Sequence, residues 1–207
     1  MRSLIALCAL VISLRSEEFV RYDFALVKPF GGAIQMSQRK QTNLDRAKYD
    51  DSFLTFVKTY ANAPIEHERL KAVTLAMMML ESGRGSSDLA KRFNNYGGLK
   101  FRQEMALRAQ KVRYRASDGY DYYCKFASIE AFIDGFWAFL DRKPYDGWRK
   151  KAFNEKEFLA FIAPIYCPYN KNYAELVTSL LPEAQALLDK YKNDETRIAM
   201  TKTPKRF

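Results

Sequence analysis

Residues 71–87 read KAVTLAMMMLESGRGSS, and the fold turns on how that stretch is parsed. Lys71 to Leu80 is almost continuously apolar and long enough for a buried helix, and Gly83 marks where it must stop. Glu81 therefore falls in the last helical turn, where a negative side chain opposes the negative end of the helix dipole. Packing against Met77, Met78 and Leu80 would penalise its charged form as well. Both effects raise the carboxyl pKa, which suits a general acid working near neutral pH. The plainer alternative is an ordinary helix end with Gly83 as its C-terminal cap. An exposed last turn, however, favours Lys or Arg over Glu.

Working outward, Asp50-Asp51-Ser52 offers a cap for a helix carrying Phe53, Leu54, Phe56, Val57 and Tyr60. Pro64 suits the first turn of the helix that ends at Glu81. His67, the single histidine, sits among Glu66, Glu68 and Arg69 and reads as a solvated surface residue, which excludes a histidine-dependent triad. Lys111 to Arg115 alternates, Ser117-Asp118-Gly119 is a turn signal, and Tyr120 to Tyr123 follows, so a small β-hairpin is expected. Ser128 reads as the cap of a helix whose stripe is Ile129, Phe132, Ile133, Phe136, Trp137 and Leu140. Asn154 opens another helix, a further one follows Asn170, and a short one is expected from Pro182. The polar stretch from Lys190 reads as a frayed tail.

The chain has 207 residues, 48% of them hydrophobic, which suffices for one good core plus extensions. Its net charge of +10 argues for an anionic partner. The basic residues are interspersed with acidic ones and carry no nucleic-acid-binding motif, so no nucleic acid partner is expected. Met1-Arg2 and the apolar run Leu4 to Leu14 resemble a short secretory signal, too short for a stable membrane span. Pro29, Gly31 and Gly32, followed by polar residues 37–43, read as a connector. Cys8, Cys124 and Cys167 lack ligand spacing and one histidine cannot build a zinc cluster, so neither a metal site nor a cofactor is expected.

The pattern E-S-G-x-G-S-S-x-L-A from Glu81 to Ala90, then Asn94-Asn95-Tyr96-Gly97-Gly98-Leu99-Lys100, resembles the glucosaminidase domains of glycoside hydrolase family 73. Two later segments continue the likeness: Tyr123 to Ser128 leading into IEAFIDGFWAFLDRKPY, and Tyr166 to Ala174. Together they span roughly Asp50 to Leu188, about two-thirds of the chain. The resemblance implies an α+β, mainly α, lysozyme-like fold with a small β-hairpin lobe, and a bacterial peptidoglycan hydrolase. Domain limits follow: 1–48 as an N-terminal extension, 49–189 as the glucosaminidase domain, and 190–207 as a polar C-terminal tail.

Glycosidic cleavage normally requires a second group besides the acid. In the resembled family, that second carboxylate lies on the hairpin, yet Val112 to Arg115 carries none. Asp118 is the favoured substitute, with Asp121 and Glu104 as others. Alternatively the substrate's own 2-acetamido group attacks the anomeric carbon while Glu81 protonates the leaving oxygen. The resemblance then gives Tyr166 the task of orienting substrate, while Asn95, Tyr96 and Lys100 look like groove residues that bind sugar. Cys124 and Cys167 should flank the groove, and a disulfide between them is expected in an oxidising compartment. The expected substrate is the peptidoglycan glycan strand, cut after N-acetylglucosamine in the periplasm, cell wall or extracellular space. An inhibitor or immunity protein is a further expected partner. A muramidase or lytic transglycosylase on the same scaffold, or a non-catalytic wall-binding module, are the rival readings.

Overall fold

A computed structural model of the chain describes residues 48–116 and 119–201, with side chains described through residue 192. The secretory-like segment, Cys8 and the connector up to residue 47 lie outside the described residues, as does Asp118. The chain runs α1 (Asp51–Asn62), α2 (Lys71–Ser82), α3 (Asp88–Phe93), β1 (Gln110–Ala116), β2 (Gly119–Lys125), α4 (Ile129–Leu140), α5 (Glu155–Tyr166) and α6 (Tyr173–Thr201), with short 3-10 turns between. This is the mainly helical α+β architecture with a small hairpin lobe that the sequence leads one to expect.

Local chemistry fixes most helix starts. The Asp50 carboxylate accepts from the Phe53 amide, the Ser128 hydroxyl from Ala131, and the Asn154 amide oxygen from Lys156 and Glu157. Each satisfies amide groups that a helix leaves unpaired at its N-terminus. Helix α2 begins later than Pro64 implies. Pro64 lies in the connecting loop, a 3-10 turn spans Glu68–Leu70, and the α-helix opens at Lys71. His67 is not a solvated residue of that helix. It is half-buried, with its ring edge-on to Trp148 at 4.9 Å between centroids.

The core lies where α2 meets α1 and α6. From Lys71 to Met79 every residue of α2 is buried, so this helix has no solvent face. Its polar residues find partners: Thr74 shares a 2.6 Å hydrogen bond with the Tyr60 hydroxyl. Lys71 is 5% exposed. Its ammonium donates to the carbonyls of Ala61 and Ala63 at 3.0 and 2.7 Å and pairs with Glu68 at 2.8 Å. It thus closes the C-terminal end of α1 from the neighbouring helix. A short helix starting at Pro182 is not formed; α6 passes through that proline as one helix to Thr201, so helical structure does not give way at Lys190. The face of α6 that packs on α1 and α2 buries Tyr173, Val177, Ala184, Leu187 and Leu188. That shared apolar stripe outweighs the one amide proton proline removes.

The β1–β2 ladder is antiparallel, pairing Val112 with Tyr123 and Tyr114 with Asp121. Tyr114 packs edge-on against Phe93 of α3 and against Tyr123, which seats the hairpin on the helical body. No helix among the described residues is long and apolar enough to cross a membrane.

The Lys71 arrangement is testable. Lys71→Met removes the donor to two buried carbonyls and should cost roughly 2–4 kcal/mol in denaturant unfolding. A loss below 0.5 kcal/mol, the range of ordinary surface substitutions, would show that solvent replaces the ammonium there.

Candidate active site

Helix α2 stops in three consecutive left-handed residues, Gly83, Arg84 and Gly85, with φ of 55°, 54° and 76°. Such a run suits glycine and strains an arginine. Arg84 is held there on both sides. Its amide donates to the Met79 carbonyl at 2.8 Å, and its guanidinium forks onto both oxygens of Glu183 at 2.8 and 2.7 Å. Gly85 is fixed more strictly, because a Cβ there would sit 2.9 Å from the Phe53 side chain. The Ser82 hydroxyl donates to the Met78 carbonyl and accepts from the Gly85 amide, and Ser87 then caps α3. Every residue type of the Glu-Ser-Gly-Arg-Gly-Ser-Ser string after Glu81, Ser86 aside, thereby has a structural task.

Glu183 is the hub of this arrangement. Besides Arg84 it accepts from the Tyr49 hydroxyl and pairs with Lys48 at 3.1 Å. Burial would raise its pKa, but the Arg84 fork, Tyr49 and Lys48 outweigh burial and hold it down to about 2.

Glu81 projects from the last turn of α2 into a recess of tyrosines and loop backbone. Desolvation pushes its carboxyl up to about 7, against a small opposing pull from the Tyr173 hydroxyl. No other carboxylate among the described residues contributes to that shift. Burial also raises Tyr166, Tyr173 and Tyr145, and the Glu81 charge adds to each. These phenols stay protonated and can act only as neutral donors or acceptors. Tyr173 is 1% exposed. Its hydroxyl lies close enough to Glu81 for each to shift the other, yet no group among the described residues closes a hydrogen bond to it.

The loop after α3 forms the other wall. Gly98 has φ of 60°, and a Cβ built on it would lie 3.5 Å from Glu81 Oε2. Gly97 packs so tightly that a Cβ would meet the Tyr166 hydroxyl at 2.8 Å, and that hydroxyl donates to the Gly97 carbonyl at 2.6 Å. Tyr166 thus ties the loop down beside the acid.

The expected sugar-binding residues fare differently. Asn95 does not line a groove: it is 1% exposed, its amide donates to the carbonyls of Leu99 and Cys124, and its oxygen accepts from the Leu99 amide. All three bonds shape the loop and leave nothing for substrate. Tyr96 is likewise turned inward, stacked on Phe56 at 3.9 Å between ring centroids. Lys100 is half-exposed and pairs with Asp121 at 2.7 Å, which together with backbone hydrogen bonding keeps Asp121 below the ordinary carboxylate range. Glu104 is exposed on a 3-10 turn. Cys124 and Cys167 are not joined in a disulfide. Burial raises the Cys124 thiol to about 12, so it stays protonated and inert.

Tyr173, in the Tyr166 to Ala174 segment, and Tyr145, at the end of IEAFIDGFWAFLDRKPY, are not among the site residues expected from sequence, yet both lie near enough to Glu81 to feel its charge. Their signal was present in the two tyrosine segments downstream, but only the fold brings them to Glu81. A concavity of about 560 Å³ lined by His67, Trp137, Trp148 and Arg149 does not include Glu81. No group of three His, Cys, Asp or Glu among the described residues is arranged to hold a metal ion.

The family model Glucosaminidase, described as mannosyl-glycoprotein endo-beta-N-acetylglucosaminidase, matches residues 57–186. No curated protein matches the chain. Among solved structures the chain is similar to the catalytic domain of the autolysin Auto from Listeria monocytogenes. That similarity has 20% identity and a TM-score of 0.45, over 73% of this chain and 96% of that one, which is too loose to add to the geometry above.

Glu81 is higher folded, at about 7, than its ordinary 4.5. Its protonated form therefore favours the fold, with that contribution fully present below about pH 4.5 and lost as pH rises through about 7. Glu81→Gln removes the dependence. The variant should match wild type in acid and exceed it by about 3 kcal/mol above pH 8 in urea unfolding. Parallel pH profiles for the two proteins would show an ordinary, solvated carboxyl.

Proposed function

The chain belongs to the Glucosaminidase family, and from that premise we propose that it is a glycoside hydrolase of peptidoglycan that cleaves the β-1,4 bond after N-acetylglucosamine with Glu81 as general acid. The observation that carries the assignment is the carboxyl at the end of α2, bordered by Gly98 and the Tyr166-tethered loop, where burial pushes its pKa up to about 7. A general acid must hold a proton at working pH and release it to the leaving oxygen, and a pKa near 7 balances the two. Once the proton has left, the carboxylate faces the Tyr173 hydroxyl, a buried donor with no competing partner among the described residues. That donor would stabilise the charge Glu81 acquires.

For the second half of the reaction the substrate-assisted route has support. Asp121 is engaged by Lys100, and among the described residues no other carboxylate shifts Glu81. The 2-acetamido oxygen of the sugar would attack the anomeric carbon, giving a cyclic oxazolinium that water opens with net retention. Asp118 stays the candidate for the carboxylate route. We place the working protein outside the cytoplasm, at the cell wall or in the periplasm, with residues 49–189 as the hydrolytic unit.

Muropeptide mass spectrometry on purified sacculi tests the reading. Wild type should release fragments ending in reducing N-acetylglucosamine, and Glu81→Gln should lose at least 10²-fold in rate. The wild-type rate should fall as pH rises through about 7, where Glu81 loses its proton. Reducing N-acetylmuramic acid or anhydro ends would reassign the bond, and intact sacculi with the protein bound would remove the enzyme. Asp118→Asn should retain activity if the acetamido group is the nucleophile, and lose it if Asp118 is.

A further inference from the structure

The two faces of the hairpin differ in chemistry. The ladder pairs Lys111 with Cys124, Arg113 with Tyr122, and Arg115 with Tyr120. Residues paired across a ladder share a face. The outer face therefore presents Lys111, Arg113, Arg115, Tyr120 and Tyr122, all exposed, with Tyr120 at 61% and Tyr122 at 45%. The inner face carries Val112, Tyr114, Asp121 and Tyr123, half or fully buried. The hairpin's acid among the described residues, Asp121, is thus on the face away from the three cations and held by Lys100.

The cations are not paired with carboxylates among the described residues. They rest on the tyrosine rings, with Lys111 Nζ 4.0 Å from the Tyr122 centroid and the Arg113 guanidinium 4.3 Å from that of Tyr120. Arg115 reaches the same ring at 5.8 Å. An exposed cation–π contact contributes roughly 0.5–1 kcal/mol, enough to bias a long side chain without neutralising it. Alternate residues of a strand recur at about 7 Å, so the charges form a straight row. A row of like charges on an open ribbon complements an extended polyanion better than a compact ligand.

We infer that the outer face of the hairpin docks an anionic cell-wall polymer whose charges are phosphodiesters, lying along β1 so that successive phosphates meet Lys111, Arg113 and Arg115. Two of the three cations are guanidinium forks, which match phosphate oxygens in pairs. The rings of Tyr120 and Tyr122 are covered by the cations, so the face lacks the free stacking platform that single-stranded nucleic acid uses. The inference rests on the hydrolase reading, which brings the protein to the wall. There the polymer would hold the enzyme on its substrate through a surface separate from the Glu81 recess.

The full-length chain should be titrated with poly(glycerol phosphate) by fluorescence anisotropy over a salt series. This probe contains no glycosidic bond, so its binding stands or falls independently of hydrolysis. Wild type should bind with a log–log salt slope of about −2, the value for three phosphate contacts on a single-stranded polyanion. Replacing Lys111, Arg113 and Arg115 together by Gln should weaken binding at least tenfold and flatten the slope, leaving sacculus hydrolysis per bound enzyme unchanged. Removing an equal charge at Lys143, Lys150 and Lys156 should leave binding within twofold. Equal losses in the two triple variants would assign binding to net charge and overturn the proposal, as would undiminished binding by the hairpin variant. Tighter binding to single-stranded DNA at the same ionic strength would overturn it too. Should the triple variant melt below wild type, Arg113→Gln alone should still cost about threefold, and no loss there would overturn it equally.

Discussion

The site depends on where α2 stops. A helix that buries nearly all its residues would ordinarily run on until it meets solvent. This one is halted inside the protein by three left-handed residues whose only non-glycine member is clamped by a carboxylate on α6. The Arg84–Glu183 fork offsets a strained backbone that would otherwise cost of order 1–3 kcal/mol. Stopping there keeps the Glu81 side chain on the inward side of the final turn. It also brings the next loop back across it, close enough that Gly98 borders the carboxyl.

The surroundings of that carboxyl are polar without being charged. Three buried phenols and a glycine-rich backbone supply dipoles, and none supplies a cation that would hold the proton off at neutral pH. An adjacent Lys or Arg would favour the carboxylate and lower its pKa. Among the described residues such cations lie elsewhere: on the hairpin's outer face, around Glu183, and over the helical surface. A net charge of +10 therefore coexists with an acid whose pKa is raised.

What the sequence disclosed and what it hid divide along the range of the interactions. The caps at Asp50, Ser128 and Asn154 are bonds to amides two or three residues away, and the hairpin rests on alternation and a turn pair. All are local, and all could be read. Glu81 was legible because its neighbours along the helix already made a charge costly. Asn95 and Tyr96 misled because polar, turn-prone residues usually face water; here the Asn95 amide reaches Cys124, 29 residues on, a partnership no local pattern announces. Lys71 hid for the same reason, since its acceptors belong to another helix. Pro182 gave a true local signal that packing overrode.

Glu183 and Tyr173 both belong to α6, which follows the other described elements in the chain. Arg84 and its carboxylate are 99 residues apart in sequence. That helix brings Tyr173 to the recess, so before it docks the Glu81 carboxyl lacks this part of its wall and is more open to water. The acid is thus completed by tertiary closure. A nascent or partly unfolded copy carries the same residue with its proton less firmly held. The same closure that completes the fold also arms it.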